Sequence, residues 1–189
     1  MIKSIISKPL RELYQQEKKR AASPWSYPEL VLGLMDAAAD VKDLDFPKAD
    51  LSRLSGDFQD FWSVSVNDTY PHFIFRFEKG GITDLDAPLE SDTRPITTGN
   101  ILVTSPMKNP PHPGQVLEAL YLSPLELSPI ITAQRLGVLR KTITQLLKGH
   151  QSVTPDLALR LAVTFHTTPQ LWLTLQHHYN LRQVENAQS

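Results

Sequence analysis

The chain has no cysteine. That excludes disulfides, thiolate zinc sites and a cysteine nucleophile, and it suits a reducing cytoplasm. No apolar run approaches the roughly 20 residues that a membrane-spanning helix needs, and the apolar part of the opening, Met1 to Pro9, is too short for a signal peptide. Net charge is equally scarce, at −1. This near-balance conceals an asymmetry, because residues 1–105 carry 12 Lys and Arg against 16 Asp and Glu, whereas residues 106–189 carry 7 against 4. Cations able to meet phosphate are therefore concentrated, relatively, in the second half. With 189 residues, 41% of them hydrophobic, the chain can bury a proper core as one domain or as two small ones.

What is present is most specific over residues 130–148, where small, turning and apolar residues recur at helix-turn-helix spacing. Ala133 is small enough to let a second helix cross close to the first, and Gly137, four positions on, can take the left-handed conformation that ends the first helix. Leu136, Val138, Ile143, Leu146 and Leu147 are expected to form the buried side. Arg140, Lys141, Thr144, Gln145 and Lys148 then share the opposite face of the second helix, with Thr142 beside them. That face is polar, cationic and free of carboxylates, and Arg140 and Lys141 lie in the first turn, where a recognition helix meets base edges and phosphates. One local feature opposes the pattern. The position where Ser or Thr would cap this helix is Leu139, and a missing cap costs about 1 kcal/mol.

Taken in order, Met1 to Ile6 reads as a short strand and Pro9 to Lys19 as a polar helix with Leu10, Leu13 and Tyr14 on one side, ended by Glu17-Lys18-Lys19-Arg20. A second helix is expected from Pro28 to Ala39, opened by its proline. Three β-like runs follow, Phe61 to Val66, Phe73 to Phe77 and Ile82 to Leu85, separated by Asn67-Asp68 and Lys79-Gly80-Gly81. Two helices on an antiparallel meander make an α+β unit of about 85 residues, a usual domain size. From Ala87 to Pro113 the composition shifts to Pro, Ser, Thr, Asp and Asn, which reads as a linker with one possible strand at Ile101-Leu102-Val103. Five helices then follow, at Gln115 to Leu122, Pro129 to Leu136, Arg140 to Leu147, Pro155 to Phe165 and Pro169 to Tyr179. Three of them open on a capping hydroxyl followed by proline, at Ser128-Pro129, Thr154-Pro155 and Thr168-Pro169. The adjacent His177 and His178 cannot reach one site from a helix face and are expected to be solvated, not metal ligands. Trp172 is expected in the core. No metal or cofactor is implied.

Two resemblances sharpen this outline. Leu54-Ser55-Gly56-Asp57, Phe61-Trp62-Ser63-Val64, Phe75-Arg76-Phe77-Glu78 and Asp84-Leu85-Asp86, with the opening Met-Ile-Lys-Ser, resemble the HigB toxins, RelE-like ribosome-dependent mRNA endonucleases, over most of residues 1–86. The resemblance implies an RNA-cleaving site, but the family's basic positions are altered. A lysine expected before Gly-Asp is Ser55, an arginine after Trp62 falls on Ser65 or Asn67, another near Tyr70 gives way to Pro71-His72, and the terminal Tyr-His is missing after Asp86. Arg76 is retained, and His72 is the remaining candidate acid or base. Metal-free RNA cleavage needs a base, cations and an acid. The stretch Pro106-Met-Lys-Asn-Pro-Pro-His-Pro-Gly114 and the Thr168-Pro169-Gln-Leu-Trp172-Leu close, with the helix order between them, resemble the HigA antitoxins, Cro-like repressors, over residues 106–181.

The expectation is therefore a fusion of class α+β. A RelE-like domain at 1–86 is joined by a Pro-rich linker at 87–113 to an all-α, five-helix helix-turn-helix domain at 114–189. The resemblance implies a cytoplasmic, homodimeric repressor that binds palindromic operator DNA through Arg140, Lys141, Thr142, Thr144, Gln145 and Lys148, fused to an inactive toxin domain. Two other functions stay open. One is an mRNA endonuclease acting on the ribosome and restrained in cis. The other is an interaction module for an intact toxin or antitoxin.

Overall fold

The computed structural model describes residues 1–16, 25–67, 71–78, 81–87 and 107–188. Glu17 to Arg20, Tyr70, Lys79 and the Ile101–Val103 run lie outside the described residues, as does most of the expected linker.

The first half is an antiparallel sheet in the order β1 (Ser52–Arg53), β2 (Trp62–Ser65), β3 (His72–Glu78) and β4 (Gly81–Asp86). Alternation in β3 sends Phe73 and Phe75 into the core, where Phe73 pairs with Val64. The opening segment does not form the strand expected over Met1 to Ile6. It makes isolated parallel bridges, Ile2 to Ile82 and Ile5 to Leu85, because Asp84 adopts a left-handed φ of 53° between them and interrupts a continuous ladder. Helix α1 (Lys8–Gln15) is shorter than expected, and it buries Leu10 and Tyr14.

Helix α2 (Tyr27–Ala37) organises the rest. Ser26 and Glu29 form a capping box at its start, with the Ser26 amide donating to the Glu29 carboxylate at 2.6 Å. Every residue from Pro28 to Ala37 is buried, the signature of a helix covered on all sides. It packs on the sheet half through α1 and β4, and also on three elements of the helical half: α3 (Pro113–Val116), the π-helical turns Leu117–Leu122 that continue it, and α7 (Pro169–Gln188). A single apolar cluster runs from Ile2 to Leu175 through this helix.

The end of the expected linker is therefore not a spacer. Met107, Pro110, Pro111 and His112 are buried. A Cβ on Gly33 of α2 would overlap the Pro111 ring, so glycine is needed for this close approach. The Lys108 amide donates to the Tyr14 carbonyl at 3.3 Å, and the Trp25 indole donates to the Asn109 carbonyl at 3.2 Å. The prolines that suggest a linker supply rigid apolar surface at low entropic cost instead.

Two buried carboxylates tie the halves together. Asp36, on α2, accepts from the Ile2 amide and the Tyr14 hydroxyl, each at 2.8 Å, and lies 3.4 Å from His178 Nδ1 on α7. Asp43, in the short 3-10 turn Val41–Leu44, accepts from the Ala39 amide and also from the Thr168 amide and hydroxyl, at 2.6 and 2.7 Å. Thr168 in turn caps α7 through the Leu171 amide. The expectation that both histidines are solvated is corrected here. His177 is exposed, but His178 is half-buried against Asp36. Burial lowers the His178 pKa, and Asp36 opposes that shift.

The helical half completes itself with α4 (Pro129–Leu136), α5 (Arg140–Leu147), α6 (Pro155–Phe165) and α7. Ser128 and Thr154 cap α4 and α6 through the Ile131 and Leu157 amides, as their sequence suggests. Trp172 is fully buried, its indole N–H donating to the Thr167 hydroxyl at 2.9 Å and its ring beside Tyr121.

Candidate nucleic-acid interface

Helices α4 and α5 are separated by three residues. Gly137 stands at φ 64°, ψ 38°, its amide returns to the Ala133 and Gln134 carbonyls, and the Val138 amide donates to Ala133 at 3.0 Å. This left-handed stop is the turn expected from the sequence, with Ala133 buried where the helices cross. Ile143 and Leu146 are fully buried, while Val138 and Leu147 are partly buried against the same core.

On the other side of α5, Arg140, Lys141 and Lys148 are exposed, and Thr142, Thr144 and Gln145 are half-exposed. Arg140, Lys141, Thr144 and Gln145 thus share one accessible side of a short helix, with Lys148 at its C-cap and Thr142 at the margin. The Thr144 hydroxyl donates back to the Arg140 carbonyl at 3.0 Å, so its oxygen is freer to accept than its proton is to be donated. Leu139 occupies the N-cap, provides no side-chain cap and is 76% exposed. The first turn of α5 therefore combines amides without a side-chain cap, two cations and no acidic residue, an arrangement suited to a phosphate.

The support behind α5 was only partly visible in the sequence. His112 Nδ1 accepts from the Gly114 amide at 3.0 Å and so caps α3, while its ring meets Tyr179 of α7 edge-on, centroids 4.8 Å apart. Gly114 abuts the C-terminal end of α5, where a Cβ would overlap the Leu146 carbonyl oxygen. Accepting at Nδ1 requires the neutral ring, and burial pushes the His112 pKa down to about 4. From the other side, Arg160 of α6 donates to the carbonyls of Leu136 at 3.0 Å and Gly137 at 3.2 Å, bracing the turn.

Of the altered positions of the first half, two are cross-strand partners. Ser55 and Asn67 are exposed, Ser65 is half-buried, and His72 lies opposite Ser65 at the start of β3. Arg76 stands four residues along the strand, roughly 13 Å away at strand rise, so the two candidates are not brought together. Arg76 sits 4.5 Å above the Phe61 ring and 3.6 Å from the buried Asp84 carboxylate. It lines a cleft of about 360 Å³ with Arg53, Asp60, Trp62, Phe77 and Glu78, in which two cations meet two carboxylates. Arg53, also over Trp62 at 5.9 Å, is the lining cation that the family pattern did not single out.

Comparison with known proteins assigns both halves. Residues 3–87 match the family described as the RelE-like toxin of the type II toxin-antitoxin system HigB. Over 79 residues the chain is 38% identical to the HTH-type transcriptional regulator YbaQ of Escherichia coli, covering 42% of this chain and 70% of that one. It is 30% identical over 79 residues to antitoxin HigA-1 of Vibrio cholerae, covering 42% and 74%. The chain belongs to the HigA antitoxins, fused to a HigB-like domain. A HigA-family antidote protein from Coxiella burnetii aligns with 42% of this chain and 86% of its own at 38% identity, with a TM-score of 0.40. In this fusion the HigB-like half carries the sheet and α2, and the HigA-like half carries the helix-turn-helix. Among the described residues no helix is long and apolar enough to cross a membrane.

Proposed function

We propose that this HigB–HigA fusion is a transcriptional repressor that binds a palindromic operator as a homodimer, and that its HigB-like half has lost RNA cleavage. The observation that carries the proposal is the exposed, carboxylate-free face of Arg140, Lys141, Thr142, Thr144, Gln145 and Lys148 on a helix fixed by the Gly137 turn. The kinship to a regulator described as HTH-type and to an antitoxin points the same way. One recognition helix covers only a half-site, so two copies related by a two-fold axis are needed to read the operator. Three cations on each α5 would neutralise up to about six phosphates in the dimer, and the logarithm of affinity should then fall with the logarithm of salt with a slope reaching about −5.

Support for an inactive HigB-like half comes from Arg76, which is committed to Asp84 and Phe61, and from the distance between it and His72. Losing one general acid or base alone typically costs about 10²- to 10⁴-fold.

Gel shifts of the full chain on its upstream DNA test the first part. A shift should be lost in the Arg140→Ala, Lys141→Ala double variant, and an unchanged shift would remove α5 from the interface. Mapping mRNA ends in translation reactions containing the full chain tests the second. Codon-positioned cuts that vanish on His72→Ala or Arg76→Ala would show an active nuclease instead.

A further inference from the structure

We propose that Leu139 reads the operator by packing against the 5-methyl group of a thymine in the major groove, an inference that rests on the operator-binding function above and names one base contact of that same helix. Leu139 is 76% exposed at the N-cap of α5, a place where a polar side chain would bond the helix amides and an aliphatic one cannot. Single exposed aliphatic side chains are ordinary on a protein surface. This one is set apart by its position, directly before the exposed Arg140 and Lys141 and at the leading end of a helix with no acidic residue in its first turn. Its backbone is also held firmly. The Leu139 carbonyl accepts from the Thr142 amide at 2.9 Å, and the left-handed Gly137 sets the chain direction two residues before it. Arg160 holds the Leu136 and Gly137 carbonyls, and Val138 packs partly buried against the core. A side chain carried on so fixed a turn makes its contact without the cost of ordering a loop on binding.

The chemistry of the groove selects what Leu139 meets. Phosphates and most base edges present charged or hydrogen-bonding groups, which an isobutyl side chain cannot satisfy. The thymine methyl is the apolar group displayed in the major groove, and a helix-turn-helix brings the N-terminal residues of its second helix to base edges there. Arg140 and Lys141 follow at once in the chain, so they can hold phosphates and set the register while Leu139 discriminates between bases. An aliphatic side chain can instead be wedged between base steps from the minor groove, but such a wedge gains nothing from a methyl that lies in the other groove.

Uracil supplies the test, because it differs from thymine only by the missing methyl. Binding of the full chain is measured by fluorescence anisotropy on a duplex of its upstream DNA, with each thymine replaced by uracil in turn. Burial of one methyl corresponds to about a 4-fold change in Kd, so one thymine in each half-site should show about that loss singly and about 15-fold when both are replaced. Leu139→Ser should bind the thymine and uracil duplexes equally, within about 2-fold, whereas Leu139→Met, still apolar, should keep the discrimination. The ratio between duplexes is the readout, since a serine can add a phosphate contact of its own and shift both affinities together. Misfolding does not confuse the result, because serine is expected to cap α5 and raise stability, and unchanged circular dichroism checks this. A wild type indifferent to every uracil, or a Leu139→Ser chain as sensitive as the wild type to the same uracils, would overturn the proposal. The outcomes separate from those of the parent function. A wild type that binds its upstream DNA with no uracil effect dependent on Leu139 would refute the thymine contact alone, and one that binds no DNA would refute operator binding and the contact with it.

Discussion

Acid should loosen this protein through His112 before it reaches ordinary carboxylates. The ring accepts the Gly114 amide through Nδ1 and is buried between α3 and Tyr179, and its pKa falls from 6.5 to about 4. Because the folded value lies below the unfolded one, the unfolded chain binds the proton first. The associated stability is fully present above pH 6.5 and is lost as pH falls towards 4. At about 1.4 kcal/mol for each pH unit between the two values, this amounts to about 2 to 3 kcal/mol, the lower figure allowing for residual solvent screening. His178, also lowered by burial, adds a slope of the same sign, so the comparison must be made against a variant. Asn at position 112 can still cap α3 but does not titrate. Urea denaturation of the wild type and of His112→Asn between pH 7.5 and 4.5 should give a steeper loss in the wild type, by about 2 kcal/mol at the acid end. Parallel curves would refute the assignment of this histidine as a neutral cap.

Three further outcomes test the framework around the interface. Gly114→Ala should destabilise by about 1 to 3 kcal/mol and weaken DNA binding, since its Cβ must displace the Leu146 carbonyl at the end of α5; thermal melts and gel shifts check both. Asp43→Ala strands the Thr168 amide and hydroxyl together with the Ala39 amide, and should cost about 2 to 5 kcal/mol; calorimetry of the wild type should show both halves melting in one transition, whereas two separate transitions would show that the shared core does not couple them. Leu139→Ser should stabilise by about 0.5 to 1 kcal/mol by capping α5, read as a raised urea midpoint with unchanged m-value.

How far the sequence reveals this molecule depends on whether the determining interaction is local. The Ser128-Pro129, Thr154-Pro155 and Thr168-Pro169 starts and the Gly137 stop act within a few residues, and those helix boundaries were legible. The α5 face was legible for the same reason, since helical spacing alone separates Arg140, Lys141 and Lys148 from Ile143 and Leu146. The short β1 was not, because two residues carry no period and pair only through Ser63 and Trp62. Nor was the structural use of Met107 to His112. Proline crowding locally signals a linker, and the distant Gly33, Tyr14 and Trp25 turn it into a packed edge. The same limit explains Asp36 and Asp43, which look like ordinary surface acids until Tyr14, His178 and Thr168 arrive from elsewhere in the chain.

These nonlocal contacts change what the fusion means physically. A tether alone would raise the effective concentration of the two halves and leave each to open independently. Here α2 is covered by both, and Thr168, the residue that caps α7, is held through its amide and hydroxyl by Asp43 of the HigB-like half. The HigB-like half therefore acts as part of the scaffold that holds the helix-turn-helix. The positions at which this chain departs from the basic pattern of the resemblance, Ser55, Ser65, Asn67 and His72, all lie off that shared core. A change at any of them would therefore leave the packing of α2 and α7, and with it the support of the helix-turn-helix, in place.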